Sequence, residues 1–212
     1  MNKFNINNKV TLIGIISKNF KYSHAYENKK FYRSEIHVQR LSGKSDDIPF
    51  VVSDQIIDVF GNWVSELMCI KGEYRSRNDN GKLNLYVYVL DILPVVDVDY
   101  KNEIYLSGYL CKPTYCRSTP LKREITDIFL AVNRSNGRRD YIPCIAWGES
   151  AKYADSLNVG THINIEGRIQ KREYFKQISD GYVERKHAYE VSISRMEVVE
   201  SEECKNQIVD AE

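Results

Sequence analysis

Aromatic and basic side chains share one face in each of two segments in the second half of the chain. In the first segment Tyr141 and Trp147 are at odd positions, and the even positions between them are apolar. In the second segment Arg168, Arg172 and Tyr174 are at even positions, opposite a series of isoleucines. Successive side chains of a β-strand point to opposite faces, so each set would lie on a single face. Rings that stack on bases, beside cations that contact phosphates, are what a protein needs to bind single-stranded nucleic acid.

More candidate residues lie next to these two segments. Three arginines crowd the turn before the first segment, and Lys171 and Phe175 lie at the hairpin that follows the second. The arginines would contact phosphates in one interpretation and belong to an ordinary solvated turn in the other, and Phe175 would either stack or pack. The candidate nucleic-acid-binding residues of this half are Tyr141, Trp147, Tyr174, Arg134, Arg138, Arg139, Arg168, Lys171, Arg172 and Phe175.

The chain carries no motif of an enzyme or of a metal site. It has no G-x-x-x-x-G-K-[ST] segment, its four histidines are isolated, and its acidic residues are dispersed among basic ones. Its five cysteines form no C-x-x-C pair, which indicates reduced thiols rather than a zinc site or a disulfide framework. We therefore expect no catalytic residue, no metal and no cofactor.

Charge and hydropathy indicate a cytoplasmic protein with two mildly basic bodies. The net charge is only +1, but the acidic excess is concentrated near residues 97–103 and after residue 200. A mildly basic body attracts polyanions, although a solvated surface of mixed charge would have the same composition. No apolar run reaches the about 18 residues of a membrane span, and the first residues are too polar for a signal peptide.

The first half of the chain is repeated in the second. The segment NKVTLIGII, which begins at Asn8, aligns with NEIYLSGYL, which begins at Asn102, at an offset of 94 residues. After one inserted residue, Gly72 of KGEYRSR coincides with Gly167 of EGRIQKR. We interpret this repeat as a tandem duplication, with a first unit at 1–96, a linker at 97–101, a second unit at 102–199 and a short acidic tail at 200–212.

Each unit has the residue pattern of a small β-barrel. Apolar and polar residues alternate around residues 104–110, 128–132 and 163–169, and turn signals such as Asn-Gly and Asp-Gly separate segments of this kind. A helical spacing follows from about Glu149 to Leu157, and its counterpart lies near residues 55–63. Five strands with a helix between the third and the fourth are the layout of an OB fold. The predicted fold class is all-β, with two tandem five-stranded OB-fold barrels, each with a short helix between strands 3 and 4.

Three segments of the second unit resemble the bacterial single-stranded DNA-binding protein (SSB) family. They are FLAVNR (129–134), RDYIPCIAWGESA (139–151) and INIEGRIQKREY (163–174). The resemblance implies an OB fold that binds single-stranded DNA without catalysis, with Tyr141, Trp147 and Tyr174 at the positions that stack on bases. It also implies an assembly that brings four OB folds together, which for a chain of two units is a homodimer.

The first unit departs from this pattern at every stacking position. Asp47, Ser53 and Asp79 stand where the second unit has its three aromatic residues. An anionic side chain would repel a phosphate backbone. Basic residues nevertheless remain on one face of the fourth strand, and aromatic residues crowd the first long loop, so a rewired DNA surface and an assembly surface are both open. The candidates for DNA contact in this unit are Tyr22, Tyr32, Lys71, Arg75 and Arg77.

The segment Asp46-Asp47-Ile48-Pro49-Phe50 is similar to the acidic peptide that closes many SSB-family proteins and recruits their partners. In this chain it is internal and aligns with Asp140 to Cys144, a predicted strand. We therefore interpret it as structural. The acidic tail lacks a terminal Pro-aromatic pair, so recruitment of partners through it is doubtful.

The sequence leads to the hypothesis of sequence-independent binding and protection of single-stranded DNA in DNA replication, repair or recombination. One alternative is an OB-fold interaction module of a primosome or recombination complex, which the 15 tyrosines and the altered first unit favour. A second alternative is an OB-fold protein that binds RNA. The expected partners are single-stranded DNA, a second copy of the chain and replication or recombination proteins, and no membrane.

Overall fold

Twelve strands and one short helix make up the part of the chain that the structure, a computed structural model, describes: residues 6–95, 99–119, 122–179 and 182–199. The first set of strands is β1 (Asn8–Ile16), β2 (Lys21–Tyr26), β3 (Lys29–Gln39), β4 (Ser45–Ser53), β5 (Leu67–Asp79) and β6 (Lys82–Leu93). The second set is β7 (Lys101–Leu110), β8 (Tyr115–Ser118), β9 (Glu124–Asn133), β10 (Arg139–Trp147), β11 (His162–Ser179) and β12 (Tyr182–Val198), and the helix α1 (Glu149–Asp155) lies between β10 and β11.

Each set of strands closes into a five-stranded barrel. In the first barrel β1 pairs with β3 and β5, β3 pairs with β4, β5 pairs with β6, and a parallel β4–β6 pairing completes the ring. The second barrel repeats this arrangement with β7, β9, β10, β11 and β12. A closed five-stranded ring of this kind is the OB fold. The predicted fold class of two tandem OB-fold barrels is therefore confirmed.

Alternating apolar side chains fill the two barrels. On β10, Ile142, Cys144 and Ala146 are buried, as the odd–even pattern predicts. On β11, Ile163 and Ile169 are completely buried in the same core. Because the strands are half-buried, the residues of opposite parity are left on the outer surface, where a ligand can reach them.

Each unit has one more strand than the sequence predicts. β2 pairs with β3 and β8 pairs with β9, so that each forms a short arm beside its barrel. The two segments read KYSHAY and YCRS, and no residue of either is fully buried. Strands that bury neither face lack the alternation of apolar and polar residues by which a half-buried strand is recognised.

The helix predicted near residues 55–63 of the first unit is wrong, because the structure has turns there. The Asp58 carboxylate accepts the backbone N–H of Phe60 at 3.1 Å, and the Asp58 carbonyl accepts Nε1–H of Trp63 at 2.6 Å. An aspartate that binds nearby backbone groups competes with helical hydrogen bonds, and Gly61 disfavours a helix further. In the second unit the predicted helix is confirmed as α1, which buries Ala151 and Ala154.

The two barrels are joined by antiparallel pairing of their equivalent first strands. β1 pairs with β7, and Val10 lies opposite Ile104, the residue at the same position of the repeat. A pairing centred on equivalent residues relates the two units by a pseudo-twofold axis. It also makes the strands of both barrels one continuous twelve-stranded sheet.

A buried ion pair of the second unit holds the first unit at this junction. Arg134 Nε donates to Asp140 Oδ2 at 2.7 Å, and Asp140 Oδ1 accepts the backbone N–H of Ser76 on β5 at 2.6 Å. Arg134 Nη2 also donates to the carbonyl oxygen of Ser76 at 3.1 Å. The Asp140 carboxylate is fully buried, so these partners are what satisfies it.

The first unit makes the equivalent contact with a strand of the second unit. Arg40 Nε donates to Asp46 Oδ2 at 2.6 Å, and Asp46 Oδ1 accepts the backbone N–H of Lys171 on β11 at 2.9 Å. The Asp46 carboxylate is also fully buried. Each unit thus uses an Arg–Asp pair to hold the long hairpin strand of the other, and we call these two contacts the junction clamps.

The internal acidic segment 46–50 lies within β4, with Asp46, Ile48 and Phe50 buried, as its structural interpretation predicts. β7 begins at Lys101, the last residue of the predicted linker. Residues 96–98 of the joint, the Asp180-Gly181 turn and the acidic tail 200–212 lie outside the described residues.

Candidate nucleic-acid interface

β10 presents two aromatic residues on the outer face of the second barrel. Tyr141 is 42% exposed and Trp147 is 36% exposed, although both belong to a strand whose alternate residues are core. Ile145, which shares their parity, is buried. The face is therefore apolar in its middle and has an accessible ring at each end.

Trp147 is held in place and has cations beside it. Its indole Nε1 donates to Ser192 Oγ on β12 at 3.2 Å, which fixes the plane of the ring. The ring lines a shallow depression together with Lys122, Arg123 and the acidic Glu124. These two basic residues were not among the candidates predicted from the sequence, because only the fold brings the β8–β9 turn to the end of β10.

Tyr141 lies on a second ring. Its ring stacks on Phe129 of β9, with centroids 6.2 Å apart and planes at 14°. Lys112 Nζ lies 4.5 Å from the centroid of the Phe129 ring. The outer side of Tyr141 is thus a flat surface with a supporting ring and a nearby cation, which is the composition of a base-stacking platform.

β11 carries the predicted basic residues, but several of them have internal partners. Arg172 Nε donates to Glu190 Oε2 at 3.2 Å, and its guanidinium lies 5.7 Å from the ring of Tyr174, which is half-buried. Glu190 is buried and also accepts Nε2–H of Gln170 at 2.7 Å. Arg168 is half-buried, and burial together with the nearby Arg40 lowers the pKa of its guanidinium.

Lys171 and Phe175 occupy different environments on the same strand. Lys171 Nζ lies 3.6 Å from Asp47 Oδ2 of the first unit, and its backbone N–H belongs to a junction clamp. Phe175, by contrast, is 73% exposed on the hairpin. Lys171 therefore has a place in the contact between the units, and Phe175 has a free ring.

The three arginines of the β9–β10 turn differ in what they do. Arg134 is in a junction clamp, and its hydrogen bonds to Asp140 raise the pKa of its guanidinium. Arg138 and Arg139 are exposed, and Arg139 Nε donates to Asn133 Oδ1 at 3.2 Å. Arg134 is therefore held in a contact between the units, whereas the other two are accessible to a phosphate.

In the first unit, the three residues at the positions of the aromatic residues all accept hydrogen bonds. Asp47 accepts a hydrogen bond from His37 Nδ1 at 2.9 Å, and the effect of burial on the pKa of its carboxyl is outweighed by His37 and Lys171, which lower it. Asp79 accepts Arg77 Nε–H at 2.7 Å. Ser53 is buried and its Oγ accepts a backbone N–H of the following turn.

The candidates of the first unit are spread over different environments. Tyr32 is only 9% exposed and packs in the core, so it cannot offer a ring face to a base. Tyr22 is exposed and contacts Tyr32 edge-to-face at 5.9 Å. Lys71 and Arg75 are half-buried, and Arg75 forms an ion pair with the buried Glu73, whereas Arg77 is exposed. Of these candidates, Tyr22 and Arg77 are exposed, Lys71 and Arg75 are half-buried and Tyr32 is buried.

Within residues 6–95, 99–119, 122–179 and 182–199, no group of three or more His, Cys, Asp or Glu side chains is arranged to hold a metal ion. No helix in the same residues is long and apolar enough to cross a membrane.

A five-stranded OB barrel with exposed rings and basic side chains on one strand face has the groups that binding of single-stranded nucleic acid requires. Residues 101–199 match the model of the Single-strand binding protein family. The resemblance to that family seen in the sequence of the second unit is therefore confirmed.

A curated relative agrees with the family match. A Single-stranded DNA-binding protein of Lactiplantibacillus plantarum is 34% identical over 83 residues, which cover 36% of this chain and 42% of the relative. This chain therefore spans less than half the length of the curated relative that it matches.

Two crystal structures extend the likeness over both barrels. A deletion mutant of the single-stranded DNA binding protein from Thermus aquaticus superposes with a TM-score of 0.69, covering 92% of this chain and 95% of that one. The wild-type protein gives a TM-score of 0.68 with 92% and 93% covered. Both are 20% identical to this chain, so what they share with it is the tandem fold.

Proposed function

We propose that the protein binds single-stranded DNA without sequence preference and protects it during DNA replication, repair or recombination. The observation that carries this proposal is the pair of exposed rings, Tyr141 and Trp147, on one face of β10 inside a segment that matches the Single-strand binding protein family. Stacking on such rings tolerates any sequence, because every base has a π-face.

In the proposed binding, basic side chains first attract the phosphates and aromatic rings then stack on the bases. Arg138 and Arg139 at one end of β10, and Lys122 and Arg123 at the other, attract the phosphate backbone and release its counterions. Bases then stack on the two rings, each contact contributing about 1–3 kcal/mol. No chemical step is required, so the protein acts by coverage and not by catalysis.

A titration with labelled oligonucleotides tests this proposal. Fluorescence anisotropy would compare an oligo(dT) of about 35 nucleotides with a duplex and an oligo(U) of equal length, over a series of salt concentrations. We expect the oligo(dT) to bind far more tightly than the duplex, and its affinity to fall as salt rises. Equal affinity for the duplex would contradict the proposal, and a preference for oligo(U) would assign the site to RNA.

We also propose that two chains associate, so that four OB folds act together. The support is the likeness to the SSB family, together with the pseudo-twofold pairing that already makes a two-barrel body of each chain. Light scattering on the purified protein should give twice the mass of one chain. The mass of a single chain at micromolar concentration would contradict the dimer.

The proposed ligand determines where the protein acts. We therefore propose that it acts in the cytoplasm, associated with the nucleoid, where single strands are exposed. Proteins of replication or recombination that work on the same strands are its proposed further partners.

A further inference from the structure

In the first barrel, aromatic residues lie on the strands that neighbour the position equivalent to Trp147. In the second barrel Trp147 lies opposite Ile125 of β9, and its ring contacts Ser192 of β12. In the first barrel the position of Trp147 is Ser53, which lies opposite Phe31 of β3. Val51 pairs with Tyr88 in the β4–β6 ladder, as Ile145 pairs with Ser192 in the β10–β12 ladder.

Phe31 and Tyr88 belong to a stack of rings on the outer face of the first barrel, which is equivalent to the face that carries Trp147 in the second barrel. Phe31 is only 4% exposed, because the imidazole of His24 lies flat on it, with centroids 4.8 Å apart and planes at 9°. Tyr88 contacts the same ring at 5.8 Å, and the guanidinium of Arg75 lies 3.6 Å from the Tyr88 centroid. The outermost ring of this stack on the β2 side is His24, which is partly exposed.

Basic side chains surround the stack. Lys29 and Arg33 share the parity of Phe31 on β3, and both are exposed. Arg77 on β5 is close enough to His24 to lower the pKa of its imidazole, in addition to the larger effect of burial. An imidazole with a lowered pKa is neutral at pH 7, so it offers a flat uncharged ring with cations around it.

The stack is continuous with the proposed site of the second unit. The backbone N–H of Tyr141 donates to Ser76 Oγ at 2.8 Å, and Ser76 is next to Arg77 on β5. Across the same junction the pKa of the Tyr26 phenol is raised, mainly by Glu27, and the nearby Arg138 opposes this effect. A strand that leaves Tyr141 would therefore pass Arg77, which is paired with Asp79, on its way to His24.

We propose that the first unit holds a second single-strand subsite, in which the imidazole of His24, supported by Phe31, stacks on a base. Its ligand is a nucleotide of the strand already bound at Tyr141 and Trp147, with Arg77 contacting the connecting phosphate. The inference rests on the proposed function, because it assigns a further contact to the same single strand.

The test compares His24→Ala with a matched control. His162 is also a histidine stacked on a ring, Tyr109, at 4.5 Å and 17°, but it lies on the second barrel. Both variants, in the full chain, would be titrated with oligo(dT) of about 8 and about 35 nucleotides, since one OB fold covers about 4–16 nucleotides. Thermal melting of each variant would show that it is folded.

For His24→Ala we expect about tenfold weaker binding of the long oligonucleotide and unchanged binding of the short one, which the second unit holds alone. For His162→Ala we expect wild-type affinity for both. Equal affinities of His24→Ala and the wild type would overturn the subsite and leave the proposed function intact. A wild-type protein that binds neither oligonucleotide would instead refute the proposed function, and the subsite with it.

Discussion

Among the residues of the proposed site, we expect Trp147 to contribute most to the affinity for single strands. Its ring is accessible, its orientation is fixed by Ser192, and it has Lys122 and Arg123 beside it. Trp147→Ala removes a stacking contact of about 1–3 kcal/mol, so we expect single-strand affinity to fall about tenfold or more. Ser53→Ala, at the equivalent position of the first unit, should change it little, and similar losses in both variants would refute the asymmetry between the units.

Two arginines of one turn give a second prediction at this scale. Arg139→Ala should weaken oligo(dT) binding and reduce the slope of log affinity against log salt by about one, with thermal stability unchanged. Arg134→Ala removes the partner of a buried carboxylate, so its main effect should be on stability. Calorimetry with a salt-dependent titration separates the two effects, and a reduced salt slope without loss of stability for Arg134→Ala would contradict its structural role.

Among the elements, the strands could be predicted from the sequence better than the helix or the arms. β10 and β11 are half-buried, so their apolar residues alternate, and the exposure of Tyr141 and Trp147 followed from parity. The first-unit helix failed because Asp58 forms local turns that outweigh helical spacing. β2 and β8 bury neither face, so their sequences lack the alternation of apolar and polar residues that predicts a strand.

The internal partners of the charged candidates lay beyond the reach of the sequence. Arg134 sits among arginines of the same turn, and only the fold shows that a buried carboxylate of its own unit and a backbone group of the other unit hold it. Glu190 lies far along the chain from Arg172, and its pairing with that arginine depends on the β11–β12 register. Contacts between distant segments leave no periodic pattern in the sequence. The sequence therefore predicts that these charged side chains are exposed on a strand, but not that internal partners already bind them.

Gly167 gives a prediction about the bulge in β11. The β11–β12 register shifts between Glu166 and Gly167, and the equivalent glycine of β5 also follows a register shift. A Cβ at Gly167 would lie far inside van der Waals distance of the Ser192 carbonyl oxygen, which is backbone and cannot turn away. Gly167→Ala should therefore destabilise the protein by about 1–3 kcal/mol in urea unfolding, and an unchanged midpoint would contradict this account of the bulge.

The whole molecule consists of two repeated barrels that are related by a pseudo-twofold axis. Equivalent strands pair across the junction, and the junction clamps exchange an Arg–Asp pair in each direction. The proposed path of the strand from Tyr141 to His24 depends on this junction, because Ser76 contacts both Asp140 and the backbone of Tyr141. Rigid placement of the two units is thus part of the proposed binding surface.

Asp140→Ala tests the junction directly. The substitution leaves Arg134 buried without its carboxylate, which typically costs about 3–5 kcal/mol. We expect a clearly lower midpoint in urea unfolding, followed by circular dichroism, for Asp140→Ala and for the equivalent Asp46→Ala. Asp99→Ala, at an exposed position in the joint, serves as the control and should unfold like the wild type. Wild-type stability in both clamp variants would show that the clamps do not hold the units.

The most direct test of the central claim uses the two tryptophans of the chain. The Trp63→Phe protein keeps Trp147 as its one tryptophan, and the Trp147→Phe protein keeps Trp63, whose Nε1 is bonded within a turn of the first unit. Each would be titrated with oligo(dT) of about 35 nucleotides, with binding followed in parallel by anisotropy. We predict strong quenching of Trp147, reversed by salt, and little change at Trp63. Bound oligonucleotide with unchanged Trp147 fluorescence would show that the strand does not run along the outer face of β10.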